Sequence, residues 1–466
     1  MRFGRARRIH LVGIGGTGMC GIAEVLLNLR YTVSGSDLVD SATVHRLRRL
    51  GGTIHTGHAA GNIYDADVVV TSTAVRFDNP EVVEARRRGI PVIPRAEMLA
   101  ELMRMKSGIA VAGTHGKTSV TSMVAQVLHL AGLDPTIVIG GRLAILDSSA
   151  KLGRGELLVT EADESDGSFL MLRPKVAVIT NIDREHLDHY GEFEALADAF
   201  VQFANAVPFY GQAVVCLDCE QIRARLSRFT RRVLTYGLSP DADLRATDLS
   251  FDGFVSRFRV HTREGELGRM KIHAPGPHQV VNALAAVAVG LDCDVPFAAI
   301  ADALGSFAGA DRRFQKKGEE GGILVVDDYG HHPTEIEATL TAAREGWQRR
   351  LVAVFQPHRY TRVRDLLEEF GRCFAQAQTV LVTDIYPAGE DPIPGITAEA
   401  VAAAIRNSGH EDVRLVGDLD RVPMALMDTA REGDLVLTLG AGSVTTVGDR
   451  FLSLLRQPHR PVENRV

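Results

Sequence analysis

A short glycine-containing loop with a lysine carries the strongest chemical signal in the sequence. Residues 109–113 read Ile-Ala-Val-Ala-Gly, an apolar strand pattern, and Thr-His-Gly-Lys-Thr-Ser follows at residues 114–119. Backbone amides of such a loop and of the next helix can hold phosphate oxygens. The Lys117 ammonium adds a charge beside the outer phosphates, and the Thr118 hydroxyl can ligate Mg²⁺. The pattern predicts an ATP site in a shortened phosphate loop, because Val111 stands where the longer motif has glycine. The predicted cofactor contacts in this loop are Gly113, Thr114, His115, Gly116, Lys117, Thr118 and Ser119.

Acidic residues follow two further strand-like runs. Glu161 ends the run 156–161 and precedes Ala-Asp-Glu-Ser-Asp, whereas the run 176–181 precedes Ile-Asp-Arg-Glu-His-Leu-Asp. Carboxylates at the carboxyl ends of parallel strands suit a hard cation that takes few protein ligands. The sequence therefore predicts a magnesium site beside the phosphate loop, with a solvated acidic turn as the alternative.

A second glycine turn lies near the start of the chain. Gly-Ile-Gly-Gly-Thr-Gly at residues 13–18 follows a strand pattern and opens an apolar helix, and Asp37 ends the next strand pattern. Glycines let the backbone approach a diphosphate, and an acid about 20 residues later can bind a ribose. This chemistry fits a nicotinamide dinucleotide or a UDP-sugar, and glycines that serve only close helix packing are the third interpretation. The predicted contacts in the turn are Gly13, Gly15, Gly16, Thr17 and Gly18.

Polar clusters also follow strands in the last third of the chain. Asp-Asp-Tyr-Gly-His-His-Pro occupies residues 327–333 and Gln-Pro-His-Arg-Tyr-Thr-Arg occupies 356–362. Arg359 and Arg362 are three residues apart, so both guanidinium groups can face one carboxylate or phosphate. Clusters at the carboxyl ends of strands indicate one functional edge of a sheet.

Strand and helix patterns alternate almost throughout, which predicts an α/β fold with mostly parallel sheets covered by helices. At about 150 residues per domain, 466 residues indicate about three domains. New sections begin near residues 109 and 323, which predicts domains at 1–107, 108–312 and 313–466: a Rossmann-like domain, a central domain like a P-loop ATPase, and a second Rossmann-like domain.

Composition excludes several classes of protein. A net charge of −6 argues against nucleic-acid binding, and five scattered cysteines are too few for a disulfide framework. No apolar run reaches the roughly 18–20 residues of a membrane span, and the N-terminus has no signal-peptide pattern. We therefore expect a soluble cytoplasmic protein without membrane insertion.

Seven motifs in a fixed order resemble the Mur ligases, the ATP-dependent amide-forming enzymes of peptidoglycan precursor synthesis. These motifs are GTHGKTS, EADESD, TNIDREHLD, GPHQVVNAL, RRFQ, DDYGHHP and QPHRYTR. The N-terminal GIGGTGM, together with the last two motifs, is similar to the alanine-adding members. No lysine lies between Lys175 and Lys271, so the carbamylated lysine of sister ligases is absent, as it is from the alanine-adding members. Gln279 departs from the asparagine that is common there and leaves the spacing of His278 and Asn282 intact.

The resemblance implies ATP, two Mg²⁺ ions, UDP-N-acetylmuramate and L-alanine as the cofactors and substrates. Thr118 and Glu161 would hold one ion, and Glu161 and His186 the other. His278 and Asn282, whose spacing alone also suits helix capping, would approach adenine. Arg313 would reach the ATP phosphates, with Arg312 as the alternative. Residues 13–18 would face the UDP diphosphate, and Asp37 the nucleoside. The residues implied near L-alanine are Asp327, Tyr329, His331, Arg359 and Arg362.

Some assignments stay open at this point. His331 is a candidate general base, with His332 as the alternative within the same motif. A murein-tripeptide recycling ligase would use the same UDP-sugar with a larger amine substrate. An NAD-dependent dehydrogenase would explain residues 13–37 only, and a non-catalytic nucleotide-binding regulator is a further alternative. We expect a monomer or a weak homodimer.

Overall fold

Three β-sheets organise the chain, each flanked by helices. The computed structural model describes residues 3–4, 6–72, 74–143 and 148–456, and the side chains of Thr17 and of residues 140–149 lie outside that description. The chain divides into two compact units. The first unit runs to Asp248 and includes Phe258–Lys271 and Val280–Ala310. The second comprises Leu249–Arg257, Ile272–Gln279 and the described residues from Asp311 onward.

The first sheet has five parallel strands in the order β3-β2-β1-β4-β5. Its strands are β1 (Arg8–Val12), β2 (Thr32–Asp37), β3 (Thr53–Thr56), β4 (Val68–Thr71) and β5 (Val92–Pro94). Its helices are α1 (Thr17–Asn28), α2 (Ala42–Arg49), α3 (Pro80–Arg87) and α4 (Arg95–Met103). The strand order reverses direction at β1, so the turn from β1 into α1 lies where ligands bind in open parallel sheets.

The second sheet has ten strands in the order β15-β14-β13-β12-β11-β10-β6-β9-β7-β8. The pairs from β13 to β7 are parallel, and β8 is antiparallel to β7. Its strands are β6 (Ser107–Ala112), β7 (Thr136–Leu143), β8 (Ser148–Lys151), β9 (Leu157–Glu161), β10 (Val176–Ile179), β11 (Gln212–Cys216), β12 (Val233–Gly237), β13 (Leu244–Asp252), β14 (Val255–Thr262) and β15 (Gly265–Ile272). The helices of this region are α5 (Lys117–Leu130), α6 (Leu187–Tyr190), α7 (Phe193–Asn205), α8 (Glu220–Arg223), α9 (Pro277–Asp292) and α10 (Phe297–Gly305).

The third sheet has the order β16-β17-β21-β18-β19-β20, and only the described pair β16–β17 is antiparallel. Its strands are β16 (Gln315–Glu320), β17 (Ile323–Asp328), β18 (Leu351–Phe355), β19 (Thr379–Thr383), β20 (Val413–Gly417) and β21 (Leu435–Leu439). Its helices are α11 (Pro333–Gly346), α12 (Tyr360–Asp365), α13 (Leu367–Arg372), α14 (Ala398–Asn407), α15 (Val422–Thr429) and α16 (Thr445–Leu455).

Both faces of the third sheet are buried. Successive side chains of a strand point to opposite faces of the sheet, and both sets lie in hydrophobic clusters. Leu324 and Val326 of β17 belong to one hydrophobic cluster, whereas Ile323 and Val325 belong to the other. A strand buried on both faces reads as a continuous apolar run, which is why the sequence patterns identified these strands.

The structure confirms the predicted α/β class with mostly parallel sheets. The division at residues 107 and 312 stays a prediction, and the last ten residues of the predicted third domain, 457–466, lie outside the described residues. Across the described helices, none combines the length and the apolar character that a membrane crossing requires.

Candidate functional site

The phosphate loop predicted at residues 113–116 joins β6 to α5 and is held from behind by the segment after β10. The Thr180 hydroxyl and the Asn181 amide both donate to the carbonyl of His115, at 2.6 and 3.0 Å. Oδ1 of Asn181 accepts from the backbone amide of His115 at 2.8 Å. The Asp183 amide donates to the Thr114 hydroxyl at 2.9 Å. These contacts fix the loop before any nucleotide binds. The sequence analysis missed Asn181 and Asp183 as its supports, although TNID was visible as a motif.

Gly113 sits where only glycine fits. Its φ of +135° is a backbone conformation that other residues rarely adopt, and an added Cβ would lie 1.9 Å from Oγ1 of Thr180. We therefore expect Gly113→Ala to lose ATP affinity by at least tenfold, since backbone strain of about 1–3 kcal/mol is released by distorting the loop. Calorimetric titration with a non-hydrolysable ATP analogue measures this. Gly61→Ala is the matched control, because a Cβ there meets open space. Equal affinity in both variants would contradict the assignment of this loop.

Lys117 of the phosphate loop is paired with a buried acid. Its Nζ lies 2.8 and 2.9 Å from the two carboxylate oxygens of Glu164, and 2.5 Å from the carbonyl oxygen of Gly113. Burial disfavours the ammonium, but the Glu164 carboxylate outweighs that effect and raises the pKa of Lys117. The Glu164 side chain is only 1% exposed, and its carbonyl accepts from the Tyr190 hydroxyl at 2.6 Å. Sequence reasoning placed Glu164 in an acidic cluster and did not identify it as the partner of Lys117.

The predicted metal ligands gather around this pair. Glu161 ends β9 and lies opposite Val111 of β6, so it is beside the strand that leads into the loop. It is close enough for its charge to raise the pKa of Lys117. Nε2 of His186 lies 3.7 Å from Oε1 of Glu164. Thr118 is the second residue of α5 and is half-buried. The Thr118 hydroxyl, the carboxylates of Glu161 and Glu164 and the His186 imidazole form a set of donors. This set fits Mg²⁺, for which oxygen is the preferred ligand.

The two predicted adenine-side residues lie on α9. Asn282 contacts the phosphate loop, because a Cβ on Gly116 would lie 2.8 Å from its Oδ1. His278 belongs to the second unit and is half-buried, and its buried Nδ1 has no hydrogen-bond partner among the described residues. Burial, assisted by the charge of Arg313, lowers the pKa of His278 to about 4, so its imidazole is neutral at pH 7.

The N-terminal glycine turn lies against Asp37, as its spacing predicted. The amides of Gly13 and Ile14 donate to the carbonyl of Ser36, and the Gly15 amide donates to Oδ2 of Asp37 at 2.8 Å. Gly16 precedes α1 and is exposed. The predicted contact through the Thr17 side chain lies outside the described part of the structure.

A buried carboxylate that sequence reasoning missed supports this turn. Glu81 of α3 is fully buried and accepts from the Ser36 hydroxyl and the Asn62 amide, both at 2.5 Å. Burial alone would raise its pKa, but the nearby His10 ring and the hydrogen bonds from Ser36 and Asn62 lower it to about 2. Glu81 is therefore an ionised acid behind β2. An isolated acid in an amphipathic helix gives no sequence signal of such a role.

In the second unit the two adjacent arginines have different partners. Arg312 donates from Nε to Asp327 at 3.1 Å and from Nη2 to the Gly440 carbonyl at 2.5 Å. The guanidinium carbon of Arg313 lies 5.1 Å from the ring centre of Tyr329, and Nη1 lies 3.8 Å from Glu335. Because Arg312 is tied to the sheet, this arrangement favours Arg313 as the arginine that meets a ligand.

Asp327, predicted near L-alanine, lies beneath Arg312. Its carboxylate is fully buried and accepts from the hydroxyls of Thr438 and Thr445 at 2.6 and 2.9 Å, in addition to Arg312. A carboxylate with these partners positions Arg312, and contact between Asp327 and L-alanine stays a prediction.

The remaining predicted residues of this unit include aromatic rings and an arginine that contact one another in succession. The Tyr329 and His331 ring centres are 5.3 Å apart, and those of His331 and His358 are 5.6 Å apart. Nη1 of Arg362 lies 3.1 Å from Nδ1 of His358. Arg359 precedes α12 with a φ of +68°, and its amide donates to the Tyr386 carbonyl. These contacts bring Tyr329, His331 and Arg362 together and add His358, which the sequence analysis did not single out.

The adjacent His331 and His332 also have different partners, as the adjacent Arg312 and Arg313 do. Nδ1 of His332 accepts from the Thr334 amide at 3.3 Å and caps α11, and the side chain is buried. Nδ1 of His331 lies 3.0 Å from the Tyr329 carbonyl and 3.2 Å from Oε2 of Glu335, with the ring 17% exposed. The exposure favours His331 as the histidine that meets a ligand.

Three family models together cover most of the chain. The Mur ligase family catalytic domain matches residues 8–107, the Mur ligase middle domain matches 111–290, and the Mur ligase glutamate ligase domain matches 312–442. The chain belongs to the Mur ligase family. The loop around Lys117 and the N-terminal glycine turn lie within the matched ranges.

Individual Mur ligases match over nearly the whole chain. A UDP-N-acetylmuramate–L-alanine ligase from Geotalea daltonii is 56% identical and covers 98% of this chain and 99% of its own length. An enzyme of the same name from Myxococcus xanthus is 56% identical, over 97% of this chain and 96% of its own.

Solved structures of Mur ligases show the same fold. The UDP-N-acetylmuramate-alanine ligase of Thermotoga maritima matches with a TM-score of 0.80 and 29% identity, over 96% of this chain and 98% of that one. A murein peptide ligase from Psychrobacter arcticus matches with a TM-score of 0.68 and 26% identity over the same shares.

Proposed function

We propose that this chain is an ATP-dependent ligase that joins L-alanine to the muramate carboxylate of UDP-N-acetylmuramate. The observation that carries the proposal is identity of 56–57% over nearly full length to several ligases of that name. The phosphate loop around Lys117 and the acids that surround it supply the chemistry. The products are the alanyl amide, ADP and phosphate, and the pathway is peptidoglycan precursor synthesis.

The reaction proceeds in two steps, phosphoryl transfer followed by amide formation. The muramate carboxylate attacks the γ-phosphorus of ATP, the bond to the β,γ-bridging oxygen breaks, and ADP leaves. The amine of L-alanine, having lost a proton, then attacks the acyl carbon, and phosphate leaves with the bonding electrons. Neither step needs a covalent bond to the protein, so the chain's residues act by positioning and by charge.

Lys117 is the principal cation of the first step. Its ammonium contacts both carboxylate oxygens of Glu164. Bound ATP would offer phosphate oxygens to the same ammonium, and Lys117 would then neutralise charge that moves onto the leaving ADP. Thr118, Glu161 and His186 would hold two Mg²⁺ ions, which supply further charge neutralisation on the phosphates.

Residues of the second unit complete the assignment. Arg313 would meet ATP phosphates, and His278 with Asn282 would lie on the adenine side. Arg359 and Arg362 would bind the carboxylate of L-alanine, beside Tyr329. His331 would take the proton from the alanine ammonium, and its bond to the Tyr329 carbonyl holds one ring nitrogen protonated and leaves the other as the base.

The cellular setting follows from the substrates. ATP and UDP-sugars are cytoplasmic metabolites, so we place the enzyme in the cytoplasm. A monomer or a weak homodimer remains our expectation.

The test measures phosphate release with ATP, Mg²⁺ and UDP-N-acetylmuramate, adding L-alanine or an L-alanyl-γ-D-glutamyl tripeptide in parallel. We expect release with L-alanine and none above background with the tripeptide. Release with the tripeptide alone would make the chain a recycling ligase. It would also show that Arg359 and Arg362 were wrongly assigned to the carboxylate of L-alanine. A control without amine detects uncoupled ATP hydrolysis, and unchanged nicotinamide absorbance in the presence of NAD excludes dehydrogenase activity.

A further inference from the structure

One arginine connects the glycine turn of the first sheet with the acidic loop of the second. Arg95 is the first residue of α4, and its guanidinium lies directly on Gly18 of α1. A Cβ added to Gly18 would be 2.8 Å from Nη1 of Arg95 and 3.3 Å from its Cζ. Gly18 has ordinary helical backbone, so the glycine leaves room for a guanidinium and is not required by a turn.

The other side of the same guanidinium faces an acid of the EADESD loop. Nη2 of Arg95 lies 3.4 Å from Oδ2 of Asp163, and the two side chains are 24% and 46% exposed. Asp163 also interacts electrostatically with Lys117. This long contact with the half-exposed Asp163 stabilises the Arg95 guanidinium only weakly. The guanidinium has five N–H donors and can bind a further acceptor.

The glycine turn itself needs a cation that its own residues do not contain. Residues 13–18 carry no basic side chain, and the Gly15 amide is already bonded to Asp37. A diphosphate brings two negative charges, and backbone amides alone balance them poorly. A planar guanidinium that can donate two parallel hydrogen bonds is the group suited to this task.

We propose that Arg95 binds the diphosphate of the UDP-sugar, and that Asp163 competes with the diphosphate for this guanidinium. The proposal rests on the proposed function and adds a substrate-binding residue and its competitor. Binding of the UDP-sugar then breaks the contact between Arg95 and Asp163, which frees a carboxylate on the Lys117 side of the loop.

The exchange predicts opposite effects for the two partners. Arg95→Ala removes a charged donor and is expected to raise the Kd for UDP-N-acetylmuramate about 10- to 100-fold, whereas Arg95→Lys raises it less. Asp163→Asn removes the competitor and is expected to lower this Kd several-fold. Gly18→Ala displaces the guanidinium without removing it and should raise the Kd.

The experiment is calorimetric titration of the full-length protein with UDP-N-acetylmuramate, without ATP or Mg²⁺, with the melting temperature recorded for each variant. Arg104→Ala is the matched control, because that exposed side chain at the end of α4 pairs only weakly with Glu101; its Kd should equal that of the wild type. An ATP analogue is titrated separately, and its Kd should be unchanged in Arg95→Ala.

Several outcomes would overturn the proposal. A Kd for Arg95→Ala within twofold of the wild type would show that Arg95 does not meet the substrate. A higher Kd for Asp163→Asn would show that the pair acts together and does not compete. Parallel loss of melting temperature and of ATP-analogue affinity in Arg95→Ala would assign the arginine a structural role. A wild-type protein that fails to bind the UDP-sugar would instead overturn the proposed function, on which the proposal rests.

Discussion

Replacement of Lys117 by alanine is expected to abolish turnover while binding of the UDP-sugar survives. The ammonium is the positive charge placed at the phosphate loop, and removal of one such preorganised group costs on the order of a thousandfold in kcat. The glycine turn and Asp37 belong to a different sheet, and their hydrogen bonds do not include Lys117. Phosphate release measures the first effect, and calorimetric titration with UDP-N-acetylmuramate measures the second.

The Lys117→Ala variant also removes the charged partner of Glu164. Without Lys117, a carboxylate that is 1% exposed would lose its charged partner, and a broken buried pair costs about 3–5 kcal/mol. The double variant Lys117→Met/Glu164→Gln removes both charges and should recover most of the melting temperature without recovering turnover. Lys271→Ala, an exposed lysine of β15, is the control for loss of a positive charge.

Two results would contradict this division of roles. Loss of UDP-sugar binding together with turnover, in the stable double variant, would show that the two sites are not separable. Substantial turnover in the double variant would show that Lys117 is not the phosphate-binding cation.

The adjacent arginines of the second unit should separate stability from activity. Arg312→Ala is expected to lower stability by about 3 kcal/mol, because it leaves the fully buried Asp327 without its charged partner. Arg313→Ala should keep the melting temperature within a few degrees and reduce kcat by about a hundredfold or more, as expected for a lost contact to transferring phosphate. Thermal melting and phosphate release on the same preparations distinguish the two effects.

Arg364→Ala is the control for this pair, because that guanidinium is exposed and pairs with the neighbouring Asp365. It should leave both readouts unchanged. If Arg312→Ala were stable and inactive while Arg313→Ala were active, the assignment of the two residues would be reversed. If both variants melted early, Arg313 would be a structural residue and another group would contact the phosphates.

Several features of this protein could be predicted from residues that are close together in the sequence. Gly113 and Gly116 indicated a backbone that only glycine adopts readily, and both have positive φ. The apolar runs before the loop and before residues 327–333 predicted buried parallel strands, because a strand covered on both faces needs apolar residues throughout. The carboxyl ends of β6, β9 and β10 then placed Lys117, Glu161 and His186 near one another. Such properties depend on local conformation and periodicity, which a sequence displays directly.

The partners of individual side chains were decided only by the tertiary structure. Lys117 is paired with Glu164, 47 residues away, and Arg95 contacts Asp163, 68 residues away. Asp327 is buried among Arg312, Thr438 and Thr445, partners that no local pattern identifies. Arg312 and Arg313 have the same chemistry and adjacent positions, so no pattern could rank them. Which of two like residues is buried depends on how strands distant in sequence pack, because burial and hydrogen bonding are settled by neighbours that the local sequence does not contain.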